Sequence, residues 1–351
     1  MKKGIRLFVI YIAAFFLVAC GAKKTETLPV VKTPLTRSES LLHTVVQLSI
    51  YHDDQEEVMD EAIAYIKEME SLLSTNLEGS DADVYRINQA AGKEAVKVDD
   101  RTFEVIEKAI ETSEESDGLF DISIGAVTNL WKIGDEDARK PSDEEIQAAL
   151  PYINYKDITL DKENQTVYIK KGMTLELGAI SKGYIADKVR ELFESKGITT
   201  AIINLGGNVV VMGDSPKTQK GWNVGVQDPD QVRGVTVGSV PETHDSVVTS
   251  GIYERYIEVD GVKYHHILDP KTGYPVENDI SGVTVFSKTS VQGDALSTTL
   301  FLLGVEKGLA FINQMDGVEA VFIDKEHGVH LSDGLKDSFE LTNEEYHLVS
   351  E

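Results

Sequence analysis

The sequence predicts an α+β fold of mixed sheets with packed helices, and three features of its 351 residues carry that reading. Segments with apolar residues at helical spacing fill much of the chain before Gly197, and β-branched runs cut by turn residues fill most of it from Thr200 onward. Between them, Leu175 to Lys196 reads as a strand that opens through small residues into an amphipathic helix. No short fixed-period repeat is present, which argues against a solenoid or propeller.

The chain is acidic, with a formal charge of −25, and no Lys/Arg-rich patch interrupts that acidity, so nucleic acid is not an expected partner. At the start, Lys2, Lys3 and Arg6 precede an apolar run from Leu7 to Val18. That run is too short to span a bilayer as a bare helix and is ordered like a secretory signal. The only cysteine falls in Leu17-Val18-Ala19-Cys20-Gly21, which resembles the lipobox of bacterial lipoproteins. That resemblance implies a signal peptide over residues 1–19 and a diacylglyceride on the Cys20 thiol. It also implies a lipid-anchored protein on the extracytoplasmic face of a bacterial cell membrane. Cleavage there removes three basic residues and no acid, taking the charge to −28, and no cysteine is left to pair in a disulfide.

Residues 20–40 carry Lys, Thr, Pro and Glu with little apolar content and read as a lipidated cysteine and flexible tether. The folded domain is expected over 41–340, with a tail at 341–351. It opens with a strand at Thr44–Ile50, then Asp54 and Glu57 form a capping box for a helix with Val58, Ala62, Ile66, Met69 and Leu73 inward. Asn76 falls in the loop beyond. A turn of helix at Asp81–Asn88 and a strand at Val96–Val98 precede a helix from Asp100 that presents Phe103, Ile106, Ala109 and Ile110 to the core. Ser142 and Glu145 cap a short helix to Leu150, and strands at Asp157–Leu160 and Thr166–Lys170 form a hairpin. After two β-branched runs around Gly206-Gly207, strands are expected at Trp222–Val226, Val235–Val240, Tyr253–Val259 and Tyr264–Leu268, with Asp260-Gly261 as a hairpin turn. A helix from Ser290 runs into Phe301-Leu302-Leu303, and a helix at Glu306–Met315 with strands at Val318–Ile323 and Val329–Leu331 closes the domain.

Five stretches carry possible chemistry. The turn from Gly178 to Gly183 opens a helix, so its amides, the helix dipole and Lys182 suit a pyrophosphate or metal-bound phosphate, although a tight packing turn reads alike. Asp121, set between Phe120 and Ile122, is either a ligand contact or a turn or cap hydrogen bond. Gly206-Gly207 is either a sharp bend or a close approach to a planar ligand. His265 and His266 face opposite sides of their strand, so at most one looks into a given site, where a neutral imidazole serves as general base. Asp294, Ser297 and Thr298 share a helix face and offer hard oxygens suited to Mg²⁺, or form an ordinary polar face.

Taken in order, Gly118-Leu119-Phe120-Asp121-Ile122-Ser123-Ile124-Gly125, Glu176 to Tyr184, Asn204-Leu205-Gly206-Gly207-Asn208, His266-Ile267-Leu268-Asp269-Pro270 with Thr272-Gly273, and Asp294-Ala295-Leu296-Ser297-Thr298 closely resemble the ApbE family of flavin transferases. The resemblance spans roughly Leu42 to Leu331. It implies a T-fold-related architecture with the flavin in a cleft between two lobes. It also implies an enzyme that binds FAD with Mg²⁺ and moves the FMN half onto a threonine of an acceptor protein, releasing AMP. By motif position, the metal would be held by the Ala179 carbonyl and by Asp294, Ser297 and Thr298. FAD would touch Leu42, Asn76, Leu119, Phe120, Asp121, Glu176, Lys182 and Ile267, and His266 would take the acceptor's proton. This chain has no clear copy of the Asp-Gly-x-Thr motif the family modifies, so the acceptor is expected to be another protein, an extracytoplasmic redox protein.

Three positions depart from the commoner pattern. Asn76 stands where many relatives have tyrosine, Leu42 where methionine is usual, and Glu176 where aspartate is common. Loss of an aromatic surface at Asn76 would admit water, which leaves hydrolysis of FAD to FMN and AMP as an alternative. On composition alone, a lipid-tethered acidic chain of this length also suits a flavin- or solute-binding lipoprotein that performs no reaction.

Overall fold

The computed structural model describes residues 28–76, 81–242 and 245–349. The expected signal peptide, Cys20 and the first part of the tether lie outside the described residues. The rest of the tether is corrected: β1 (Val30–Leu41) pairs antiparallel with β2 (Thr44–His52) across a turn in which Leu42 and His43 both take φ 54°. It is an edge strand whose polar side chains face outward while Leu35 and Leu41 pack on the core, so its apolar content is sparse.

α1 (Glu56–Leu73) buries Met59, Ala62, Ile63, Ile66, Met69 and Leu73. Its expected capping box does not form: Asp54 sits at φ 57° and the N-cap is Gln55, without a side-chain cap bond. There follow α2 (Asp83–Gln89), β3 (Val96–Lys97), α3 (Asp100–Glu115), α4 (Gly125–Trp131) and α5 (Asp143–Ala149). The reciprocal Ser142 and Glu145 capping box is present at α5. β4 (Ile158–Asp161) and β5 (Thr166–Ile169) make the expected hairpin, which β3 extends to three strands.

α6 (Ser181–Ser195) ends before Gly197, at φ 79°. The expected strand ahead of it, Leu175–Leu177, lies outside any strand; its neighbour Thr174 makes an isolated parallel bridge to Ile124. β6 (Ala201–Leu205) and β7 (Asn208–Met212) turn on Gly206-Gly207, at φ 67° and 109°, which identifies the pair as a hairpin turn. β8 (Trp222–Gln227) and β9 (Thr236–Glu242) pair next, then β10 (Ser246–Gly251) joins β7. β11 (Tyr256–Val259) and β12 (Val262–His265) form a separate hairpin on Asp260-Gly261.

β13 (Ile280–Ser287), α7 (Ser290–Leu303), α8 (Val305–Ile312), β14 (Val318–Asp324) and β15 (Gly328–Leu331) complete the centre. Two short strands, β16 (Glu340–Leu341) and β17 (His347–Leu348), pair with β9 and β15, so the expected C-terminal tail contributes Leu341, His347 and Leu348 to sheets. Among the described residues the main sheet has nine strands in the order β1-β2-β6-β7-β10-β13-β14-β15-β17, antiparallel but for β15 and β17.

The sheet is buried on both faces at its centre. Phe322 and Ala320 of β14 pack with the α7 and α8 side chains Leu300, Phe301 and Leu309, while Val321 and Ile323 turn to the opposite layer with Val226 and Val237. α6 covers β6 and β7, α7 covers β10 and β13, and the two helices lie against each other. The fold is α+β with mixed sheets, as the sequence predicts.

Candidate active site

The N-terminal turns of α6 and α7 meet. Gly183 has no side chain, and a Cβ there would lie 2.2 Å from the carbonyl oxygen of Ser290. Its amide donates to Asp294 Oδ2 at 2.9 Å, and Asp294 is only 4% exposed. One residue earlier, the Lys182 ammonium donates to the carbonyl of Gly178 at 2.9 Å and lies 3.7 Å from Asp294 Oδ1. The turn is held in shape by Glu176, whose Oε1 accepts from the Gly178 amide at 2.7 Å.

The Gly118–Gly125 segment runs beside this turn, because the Glu176 amide donates to the carbonyl of Ile122 at 2.8 Å. Phe120 is buried and Leu119 half-buried. The Asp121 carboxylate accepts from the Ser123 amide and hydroxyl at 2.8 and 2.6 Å, and from the Tyr155 amide at 2.8 Å. Of the two readings left open, the turn hydrogen bonds are present.

The third component is the end of the β11–β12 hairpin. His265 points to the α7 side, ring to ring with Phe301 at 5.8 Å, and His266 follows in a bend just past the strand's end. The His266 amide donates to the carbonyl of Arg255 at 3.2 Å, and Nδ1 lies 3.2 Å from the same oxygen. A proton on Nδ1 satisfies that carbonyl and leaves Nε2 free to accept one. The loop after it is anchored by the indole of Trp131, which donates to the carbonyl of Gly273 at 2.9 Å, and by Ile267, which is buried.

Charge ties the three components together. Burial, with the positive charges of Arg255 and Lys182 beside it, pushes the His266 imidazole down to about 4, so it is neutral at physiological pH. Burial raises the Glu176 carboxyl, an effect opposed by the Gly178 amide, Lys182 and Arg255. Lys182 and Arg255 therefore act on the same two groups from α6 and from the hairpin. Arg255 is exposed and forms no ion pair among the described residues. The sequence reading passed over it, because an isolated arginine at a strand start carries no motif.

The oxygens fit a hard divalent cation. A turn carbonyl and the Asp294 carboxylate already face one positive charge, the Lys182 ammonium, and Thr298 on the same helix is half-buried with no side-chain hydrogen bond among the described residues. Ala179, in the turn, is half-buried. Ser297 is the expected ligand whose hydroxyl is already engaged: it donates to the Asp294 carbonyl at 2.8 Å and meets Ser250 Oγ of β10 at 2.7 Å. Among the described residues no group of three or more His, Cys, Asp or Glu is placed to hold a metal, and the expected set contains one carboxylate only.

Leu42 and Asn76 stand apart. The Leu42 amide donates to Glu70 Oε1 at 2.6 Å and its side chain borders the same apolar cluster as Phe120 and Leu177. Asn76 is exposed, accepting from the Thr75 hydroxyl at 3.2 Å. A cavity lined by Gly197, Ile198, Thr199 and Met212 lies at the opposite end of α6 and touches none of these residues.

A polar turn at a helix start, an opposing buried carboxylate and a neutral histidine define a site for transfer chemistry on a charged group. The sequence matches the ApbE family over residues 42–322, and the chain belongs to that family and is, with its relatives, a transferase. It is 38% identical over 84% of its length to a protein of Klebsiella pneumoniae (strain 342) named FAD:protein FMN transferase, covering 90% of that relative. A Treponema pallidum (strain Nichols) protein of the same name is 34% identical, over 86% of this chain and 88% of that one. Among solved structures, the ApbE protein of Thermotoga maritima superposes with a TM-score of 0.80 at 32% identity, over 87% of this chain and 99% of that one. The flavin transferase ApbE of Vibrio cholerae superposes at 0.77 and 26%, over 88% and 100%.

Proposed function

We propose that this chain transfers the FMN half of FAD to a threonine hydroxyl of an acceptor protein and releases AMP. The observation that carries the reading is the meeting of Lys182 and Gly183 with Asp294, next to a neutral His266. The names of the relatives support the donor and the group moved.

The hydroxyl oxygen bonds to the FMN phosphorus as the bond from that phosphorus to the bridging oxygen breaks. The hydroxyl proton goes to His266 Nε2, and AMP departs with the bridging electron pair. Lys182 and Arg255 offset charge on the diphosphate, and the carbonyl of Arg255 fixes the imidazole's tautomer. An anionic substrate also raises the imidazole's proton affinity, readying a base that is weak in the free protein. Mg²⁺, held by the Ala179 carbonyl, Asp294 and Thr298 with Ser297 beside them, would supply charge neutralisation at the diphosphate oxygens.

Water in place of the hydroxyl gives FMN and AMP, and the exposed Asn76 leaves that side reaction open. Lipidation at Cys20 and an extracytoplasmic membrane location belong to the same proposal. No helix among the described residues is long and apolar enough to cross a membrane. Incubating the protein with FAD, Mg²⁺ and a peptide bearing Asp-Gly-x-Thr, then weighing the peptide, tests the reading. A peptide heavier by FMN minus water is expected, and an unchanged peptide mass with FAD intact overturns it.

A further inference from the structure

We infer that Asp187 is a positioning residue that sets the register between the two halves of the diphosphate and metal seat. This rests on the reading above and deepens it.

One face of α6 reads the segment 288–294 in antiparallel order. Gly183, Asp187 and Arg190 lie at i, i+4 and i+7 and share that face. Arg190 Nη1 donates to the carbonyl of Lys288 at 2.8 Å, and Nη2 donates to Asp187 Oδ1 at 3.0 Å. The two oxygens of Asp187 accept from the amides of Ser290 and Val291 at 2.8 and 2.9 Å. Gly183, one turn back, donates to the Asp294 carboxylate.

The local N-cap of α7, Thr289, makes no side-chain cap bond, so a carboxylate from another helix satisfies the first amides of α7. Asp187 is 7% exposed, a costly place for a carboxylate that the two amides and Arg190 offset. Its partners on α7 are backbone amides, which fixes helix against helix rather than one side chain against another. Any slide of α7 along α6 breaks these bonds together and carries Asp294 away from Lys182 and the Gly178 turn.

Groups that orient a metal ligand typically change metal affinity about 10–100-fold when removed. The test is Mn²⁺ binding in the presence of ADP, read by electron paramagnetic resonance, for the wild type, Asp187→Asn and Asp187→Ala. Asparagine keeps the shape but places a donor against one of the two amides. It is expected to weaken Mn²⁺ at least about tenfold while riboflavin affinity stays within about twofold. Asp187→Ala is expected to lose more, with a lowered Tm. A folded Asp187→Asn protein that binds Mn²⁺ like wild type overturns the positioning role alone. A wild type that binds no Mn²⁺ overturns the metal reading and this role with it.

Discussion

The amide of Gly183 donates to the carboxylate of Asp294 across 111 residues of sequence, at 2.9 Å. That bond joins the start of one helix to the second turn of another, and the chemistry proposed here depends on both ends of it.

Gly183→Ala is expected to force the helices apart, since the added carbon would sit 2.2 Å from the Ser290 oxygen. Overpacking of this kind costs about 1–3 kcal/mol, and Tm falls by about 2–4 °C per kcal/mol. A thermal melt beside an AMP-release assay checks it; wild-type values in both would show that the contact yields freely.

Asp294→Ala is expected to cut AMP release from FAD by about a hundredfold or more, the scale of several kcal/mol of charge stabilisation. Riboflavin affinity should hold, because riboflavin carries no diphosphate for a metal at this carboxylate to bind. Unimpaired AMP release would remove Asp294 from the reaction.

His266→Ala is expected to slow transfer to an acceptor peptide by about 10²–10⁴, the usual range for a general base. In the wild type, kcat/KM should be level through neutral pH and fall only as the free protein's imidazole protonates near 4. The acid limb of kcat should lie higher, because bound diphosphate raises the imidazole. A kcat limb below that of kcat/KM contradicts the assignment. Stability follows the same group. An imidazole at about 4 when folded and about 6.5 when unfolded binds fewer protons in the folded state between those values. Its contribution is complete above about 6.5 and is lost as pH falls to about 4, which urea unfolding at a series of pH values would detect.

Arg255→Gln removes a charge that acts on both Glu176 and His266 while keeping the backbone carbonyl that holds the ring. The KM for FAD should rise about tenfold with kcat less affected, and Arg255→Lys should recover part of the loss. An unaltered KM in Arg255→Gln would place the guanidinium outside the site.

Much of this was legible in the sequence where an element carries its own caps, turns or periodicity. α6 and α7, the Ser142 and Glu145 cap and the Asp260-Gly261 turn all carry local signals that the structure honours. β13 was missed because all eight of its residues are buried and include two serines, a glycine and a threonine, leaving no alternation to read. β1 was missed for the opposite reason, being an edge strand with mostly polar outward positions. At the site, the motifs pointed to Lys182, Asp294 and His266, but Asp187 and Arg255 matter through neighbours far along the chain, and spacing cannot reveal such partners.

The two helices that bear the site ride on separate halves of the main sheet, which are sewn together by three residue pairs between β7 and β10, from Ser246 and Val210 to Val248 and Asn208. Until that seam closes, Lys182 and Asp294 belong to separate fragments. The meeting of Lys182 with Asp294, on which the proposed chemistry rests, thus depends on completion of the sheet.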